Sequence, residues 1–213
     1  EDTITLQDLV IPVSVSMWER ESPQGRFPDE MRYMLRQNNK YTVNKWYYGI
    51  KRFQDQSGEY LDFGGNTEHF IRPASHHVFT LALCLKLHVY DPQITFVSEE
   101  KALDIALNLI RSLAYHHKSN IGEGGWGDQW QSALWAAQVA NAGWFLWNEL
   151  SVSDRELVCR MLVHEADRFI DYDVPYYRDI SGNIISEGDT KAEENAWNSN
   201  ILTIATAMMP HHE

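Results

Sequence analysis

The segment Ser98 to His117, which reads SEEKALDIALNLIRSLAYHH, decides the fold class of this 213-residue chain. Its apolar residues recur every three to four positions, which is the period of an amphipathic α-helix. Ser98 is suited to cap the first turn, because its hydroxyl can accept a hydrogen bond from a backbone N–H. The apolar stripe consists of Ala102, Ile105, Ala106, Leu109, Ile110 and Leu113. The segment therefore predicts a helix that buries one face in a core.

The same kind of pattern predicts further helices around this one. The signals used are caps, apolar periodicity and residues that stop a helix. We expect one helix to begin at Ser75 and stop at Asp91 and Pro92, one to run from about Asp128 to about Leu150, one to open at the capping box Ser153 to Glu156, and one to run from about Thr190 to Met209.

The first part of the chain, residues 1–60, is predicted to be less regular. It contains two short helical patterns, near Glu30 to Gln37 and near Val43 to Phe53, followed by a polar, glycine-containing segment. Strand signals are few and weak. Helices of similar length joined by alternating short and long loops predict antiparallel hairpins. We therefore expect an all-α fold, a single domain over 1–213 that forms part of an (α/α) toroid.

Composition excludes several classes of protein. Apolar residues make up 44% and charged residues 23% of the chain, which is typical of a globular protein and not of a disordered one. The formal net charge of −12 argues against a nucleic-acid partner and makes neutral sugars easier to accommodate than polyanions. No run of 18 apolar residues occurs, so no membrane insertion is expected. Cys84 and Cys159 lie in apolar helical patterns and are predicted to be buried thiols.

The stretch Gly122 to Ala137, which reads GEGGWGDQWQSALWAA, is the first candidate site. Its glycines permit positive φ and close backbone approach, and they place Trp126, Asp128, Trp130 and Gln131 at the mouth of a helix. Flat indole faces beside carboxylate and amide groups are suited to binding a sugar ring. The alternative is a tight turn whose tryptophans belong to the core.

The run Gly188 to Asn198, which reads GDTKAEENAWN, is the second candidate. At helical spacing Glu194 shares a face with Asn198 and lies beside Trp197, so a carboxylate, an amide and an indole come together. The acidic residues of the first two candidate sites, Asp128 and Glu194, each have a structural explanation as an alternative to a role in a site. Glu194 could be a solvated or ion-paired glutamate of a first helical turn, and Asp128 could be an N-cap.

The third candidate is Phe63 to His77, which reads FGGNTEHFIRPASHH. Arg72 could clamp a carboxylate or sugar hydroxyls with its planar fork, and His69 or His76 could act as general acid or base. The alternative is an ion pair between Glu68 and Arg72 that holds the loop.

No metal site and no cofactor are expected. The histidines occur as adjacent pairs, which point about 100° apart on a helix, and no histidine is followed by another at i+3 or i+4. A phosphate-binding glycine loop, a nucleophile elbow and a CxxC motif are all absent from the sequence.

Three segments resemble bacterial carbohydrate-active proteins of the α/α-toroid, six-hairpin-glycosidase-like type. They are FGGNTEHFIRP, GGWGDQWQSALWAA and GDTKAEENAWNSNILTIATAMMPHH. More loosely, they are similar to heparinase-like polysaccharide lyases. The resemblance spans about residues 60–213 and implies a substrate site at helix N-termini, which would gather Glu68 to His76, Trp126 to Gln131 and Asp189 to Asn198 around one cleft. A complete toroid has more helices than this chain supplies, so we expect a fragment whose site a C-terminal continuation could complete.

The hypothesis that follows is cleavage of glycosidic bonds in a polysaccharide or oligosaccharide, by an exported protein of the periplasm or cell surface. Hydrolysis would use Asp128 and Glu194 as acid and base, in a groove lined by Trp126, Trp130 and Trp197.

Two alternatives stay open beside hydrolysis. Elimination in a uronic-acid polymer would use Arg72 to neutralise the substrate carboxylate and His76 or Tyr176 to remove the C5 proton. The non-enzymatic alternative is a glycan-binding or helical scaffold domain of a larger protein.

Overall fold

The computed structural model describes residues 25–129, 131–167, 177–178, 181 and 183–186. This part of the chain is built from helices that pack on one another, which confirms the all-α class. A short antiparallel hairpin accompanies them, in which β1 (Tyr177–Arg178) pairs with β2 (Ile184–Ser186).

The described helices are joined mostly by short connections, with longer loops over residues 56–67 and 122–131. They are α1 (Arg26–Lys40), a π-helix (Tyr41–Ile50), a 3-10 turn (Phe53–Asp55), α2 (Glu68–Lys86), α3 (Pro92–Thr95), α4 (Glu99–Tyr115), α5 (Lys118–Ile121), α6 (Ser132–Phe145), a 3-10 turn (Trp147–Glu149) and α7 (Val152–Asp167). In the described part, no helix is both long and apolar enough to cross a membrane.

Helix α4 forms as predicted and packs against α2, α6 and α7. The Ser98 hydroxyl accepts a hydrogen bond from the Lys101 N–H at 3.2 Å, which confirms the predicted cap. All six residues of the predicted apolar stripe are buried. Removal of this stripe from water provides the main stabilisation of the helix, at about 25 cal/mol for each Å² of apolar surface.

Helix α2 begins at Glu68, seven residues before the predicted start at Ser75. Ser75 is not a cap but a buried residue, whose hydroxyl lies 2.9 Å from the Arg72 carbonyl oxygen and 2.8 Å from Gln138 Oε1 on α6. The predicted start was wrong because Pro73 stands inside the helix, where proline removes a backbone donor and normally indicates a boundary. The helix ends at Lys86, before the predicted stop at Asp91.

The starts of α6 and α7 also differ from the prediction. Helix α6 begins at Ser132 instead of Asp128, and it ends at Phe145 before a 3-10 turn. At α7 the first-turn N–H of Asp154 donates to the Ser151 hydroxyl at 3.1 Å, so Ser151 caps the helix and the predicted box at Ser153 does not. The helix predicted from Thr190 lies outside the described residues.

The two short helices predicted in the N-terminal part are present, but they are longer and continuous. Helix α1 passes directly into the π-helix at Tyr41, so residues 26–50 are regular and that part of the expectation was wrong. Both cysteines are buried free thiols, as predicted, and burial raises the pKa of each to about 11.

His77 connects this N-terminal pair of helices to α2. Its Nδ1 lies 2.7 Å from the Thr42 hydroxyl, and its ring centroid is 4.4 Å from that of Trp46. Burial, and then the neighbouring His76, lower the pKa of His77 from 6.5 to about 4. The folded protein therefore holds this imidazole neutral where an unfolded chain would protonate it.

This difference predicts a loss of stability in acid. Between pH 6.5 and about 4 the unfolded chain binds a proton at His77 that the folded chain does not, so the free energy of unfolding falls as the pH falls through that window. We expect the free energy of unfolding in urea to fall less in His77→Gln than in wild type over this pH window, by on the order of 1 kcal/mol. This value is smaller than the full effect of the pKa shift, because the side chain is partly exposed and water screens the interaction.

The control variant for His77→Gln is His69→Gln, since His69 is an exposed histidine of the same helix. It should keep the wild-type pH dependence. An identical slope in His77→Gln and wild type would contradict the assignment of the acid sensitivity to His77.

Candidate functional site

The glycine loop lies directly on the turn that follows α4. The Lys118 N–H donates to the Trp126 carbonyl at 2.8 Å, and the Trp126 N–H donates to the His116 carbonyl at 3.0 Å. A Cβ at Gly125 would lie 2.5 Å from Lys118 Cα, so only glycine permits this approach. Gly122 and Gly124 have φ of 75° and 86°, as expected for a loop that needs left-handed backbone.

Trp126 is the centre of this packing and is fully buried. Its Nε1–H donates to the Leu113 carbonyl at 2.8 Å, and its ring centroid lies 4.6 Å from that of His117. The expectation that Trp126 lines an open groove is therefore corrected, and the alternative of a core tryptophan applies. Gln131 is also buried, and its Oε1 has no hydrogen-bond partner within the described part of the chain.

Asp128 has a left-handed backbone with φ of 56° and stands four residues before α6, so it is not the N-cap of that helix. Its side chain is 7% exposed. Oδ1 accepts from His164 Nε2 at 2.7 Å, and Oδ2 accepts from Lys118 Nζ at 2.5 Å. The carboxylate is thus enclosed by an ammonium and an imidazole, instead of facing an open groove.

Glu165 on α7 lies fully buried next to this pair. Its Oε1 accepts from His117 Nε2 at 3.1 Å, and its Oε2 accepts from the Ser132 hydroxyl at 3.0 Å. The metal-binding atoms of His117, His164 and Glu165 all lie within 4.8 Å of one another. We refer to His117, Asp128, His164 and Glu165 as the buried cluster.

The hydrogen bonds of His117 define its tautomer. The backbone N–H of Ser119 donates to Nδ1 at 3.2 Å, so Nδ1 has the lone pair and Nε2 carries the proton that is donated to Glu165. Burial lowers the pKa of His117, although Glu165 acts in the opposite direction. The imidazole is therefore neutral at physiological pH.

Local spacing could not predict this cluster. Its two histidines belong to different elements, the turn after α4 and the end of α7, so a search for histidines at i+3 or i+4 misses them. The available signal was the adjacent pair His164 and Glu165, which directly follows the apolar run Met161 to Val163. Two adjacent polar side chains on a buried face normally have a partner or a ligand.

The third sequence candidate forms a separate groove along α2. We call it the α2 groove, and its walls are Asn38, Arg72, Pro73, His76, His77, Phe79, Thr80 and Gln138. Two of the predicted site residues, Arg72 and His76, are therefore brought together there.

The titratable side chains at the α2 groove lie on successive turns of α2. Arg72 Nη1 donates to Glu68 Oε1, so the predicted alternative of an ion pair is present, although it spans the first turns of a helix instead of a loop. The Arg72 side chain nevertheless remains 42% exposed. Partial burial, and then the charge of Arg72, lower the pKa of His76 below 6.5, so its exposed imidazole is neutral at pH 7.

The structure also joins two of the three candidate segments. The Asn66 side-chain amide donates to the Gly124 carbonyl at 3.0 Å, and the Gln129 amide donates to the Asn66 carbonyl at 3.2 Å. The loop before α2 and the glycine loop are therefore neighbours. The remaining predicted site residues lie outside the described residues, namely Trp130, Tyr176, Glu194, Trp197 and Asn198.

Comparisons of the chain with protein-family models, curated proteins and solved structures gave no match. The function has to be inferred from the chemistry of the α2 groove and the buried cluster.

The close packing of the glycine loop leads to a stability prediction. Gly125→Ala places a Cβ against the Lys118 backbone, which cannot move without breaking the Lys118 N–H to Trp126 carbonyl bond. We expect urea unfolding to show a loss of about 2–4 kcal/mol.

The matched control for this substitution is Gly124→Ala in the same loop. A Cβ there meets nothing within 4 Å, so its cost is only that of a positive φ, about 1 kcal/mol. Equal losses for the two variants would refute the close-approach explanation.

Proposed function

We propose that this chain is part of a carbohydrate-active protein with an incomplete (α/α) toroid, and that it cleaves uronic-acid polysaccharides or oligosaccharides by β-elimination at the α2 groove. The observation that carries the proposal is the position of Arg72 and His76. A guanidinium and a neutral imidazole lie one helical turn apart in one groove.

Elimination needs the two groups that this groove provides. A base removes the C5 proton, the electron pair forms the C4–C5 double bond, and the C4–O bond breaks as the leaving oxygen takes a proton from solvent water. The proton is acidic only when the charge of the adjacent carboxylate is neutralised, because negative charge develops there in the transition state. Arg72 supplies the positive charge, and the neutral imidazole of His76 accepts the proton.

Polar groups from other elements extend the groove beyond these two residues. Asn38 of α1 and Gln138 of α6 contribute amides, which can both donate and accept hydrogen bonds with sugar hydroxyls. Phe79 adds an apolar surface to the groove. Such a mixture of an apolar surface with a few converging polar groups is typical of small-ligand sites.

The surroundings of Asp128 favour elimination over hydrolysis. A glycosidase needs one carboxyl group that is protonated and can donate to the leaving oxygen. The Lys118 ammonium at 2.5 Å from Asp128 Oδ2 stabilises the ionised form instead, and the side chain is 7% exposed. Asp128 is therefore a poor general acid for a polymer in a surface groove, whereas Arg72 and His76 line such a groove.

The test uses the longest natural form of the protein on a panel of uronic-acid and neutral polysaccharides. We expect cleavage of a uronic-acid polymer with ultraviolet absorbance from the unsaturated product. His76→Gln should lower kcat by about 100-fold or more, since general base catalysis contributes that much. Because the pKa of His76 is lowered, the acid limb of kcat/KM for wild type should lie below pH 6.5.

The control variant is His69→Gln, which removes an exposed histidine of α2 that is not among the groove residues. It should retain wild-type kcat. New reducing ends without ultraviolet absorbance would show hydrolysis and contradict elimination. A native protein that cleaves no glycan would support the alternative of a glycan-binding domain if it binds one, and of a scaffold domain if it binds none.

A further inference from the structure

The buried cluster contains the ligand types that a transition metal prefers. His117 comes from the turn after α4, and His164 and Glu165 come from the end of α7. All three are buried, and their binding atoms lie within 4.8 Å of one another. Imidazole nitrogen together with carboxylate oxygen suits zinc and its first-row neighbours.

The distances require little rearrangement. Zinc bonds of about 2.0–2.2 Å to nitrogen and oxygen in a tetrahedral site hold neighbouring ligand atoms roughly 3.3–3.5 Å apart. His117 Nε2 and Glu165 Oε1 are 3.1 Å apart already. The widest separation of 4.8 Å has to close by about 1.5 Å, which rotations of side chains can provide.

Each of the three ligand side chains is also held by a neighbour that is not itself a proposed ligand. Asp128 Oδ1 accepts from His164 Nε2 at 2.7 Å, the Ser132 hydroxyl donates to Glu165 Oε2 at 3.0 Å, and the Ser119 hydroxyl lies 2.8 Å from His117 Nδ1. Metal ligands are commonly oriented by such partners, above all histidines by a carboxylate.

Binding through His117 requires a change of tautomer. Nε2 carries the proton in the metal-free arrangement, and it must expose its lone pair to bind an ion. The proton then moves to Nδ1, where it can be donated to the Ser119 hydroxyl. The change gives up the 3.2 Å bond from the Ser119 N–H and the bond from Nε2–H to Glu165, and coordination of both side chains to the ion replaces the second of these.

We propose that the buried cluster binds one divalent transition-metal ion of the zinc type, with His117, His164 and Glu165 as protein ligands. The ion fastens the end of α7 to the turn that carries the glycine loop. None of its ligands lines the α2 groove, so the proposal does not depend on β-elimination.

The test measures zinc binding to the full chain after chelator treatment and dialysis. We expect calorimetry to show one equivalent of Zn²⁺, and saturation to raise the Tm. His164→Gln and Glu165→Gln should each weaken binding at least about tenfold, whereas the exposed His69→Gln should bind as wild type does. Metal binding is measured without a substrate, so its result does not depend on whether the α2 groove is active.

Two spectroscopic measurements on the wild type decide the matter even if the variants fail to fold. Co²⁺ in place of Zn²⁺ should give visible absorption bands of a low-coordinate site. The ¹⁵N shifts of His117 should change from the Nε2–H to the Nδ1–H tautomer when Zn²⁺ binds. A folded, metal-free wild type that takes up no ion, or equal affinity in wild type and folded His164→Gln, would overturn the proposal.

Discussion

The burial of the Glu165 carboxylate is the constraint on which the arrangement of the other elements depends. A carboxylate removed from water costs several kcal/mol unless hydrogen bonds and charges replace its hydration. His117 from the turn after α4 and Ser132 from the first turn of α6 supply two of those hydrogen bonds. These contacts fix the end of α7 relative to α4 and α6. Because such bonds are directional, they specify one arrangement where apolar packing alone would allow several.

The same contacts explain why the glycine loop has its conformation. His117 can donate to Glu165 only if its turn holds the ring in place, and the loop does so by pairing Trp126 with the backbone on both sides of His117. That pairing needs a residue without a Cβ at Gly125. Trp126 and the glycines, which the sequence predicted to form a sugar-binding surface, are thus required for the structure of the loop. The chemistry associated with the loop lies beneath it, in groups that the loop encloses.

The sequence predicted best those elements whose information is local. Helix α4 has a serine cap and an unbroken apolar stripe, so periodicity alone determines its position. Prediction failed where a distant contact overrides a local signal. Ser75 is a residue type that often caps a helix, but its hydroxyl donates to Gln138 on α6. Asp128 is another such residue type, but Lys118 and His164 hold its carboxylate before the helix begins. The buried cluster is the extreme case, because its members meet only after α4, the glycine loop and α7 are packed.

Helix α6 relates the two sites. Ser132 in its first turn contacts Glu165 of the buried cluster, and Gln138, almost two turns later, forms part of the wall of the α2 groove. Its buried alanines let α2 approach closely, and α2 packs on α6 more extensively than on any other described element. A helix is stiff over two turns, so Ser132 and Gln138 keep a fixed position relative to each other, and the Ser75 hydroxyl of α2 donates to Gln138 Oε1 at 2.8 Å. The buried cluster and the α2 groove are therefore joined by one helix, although they share no residue.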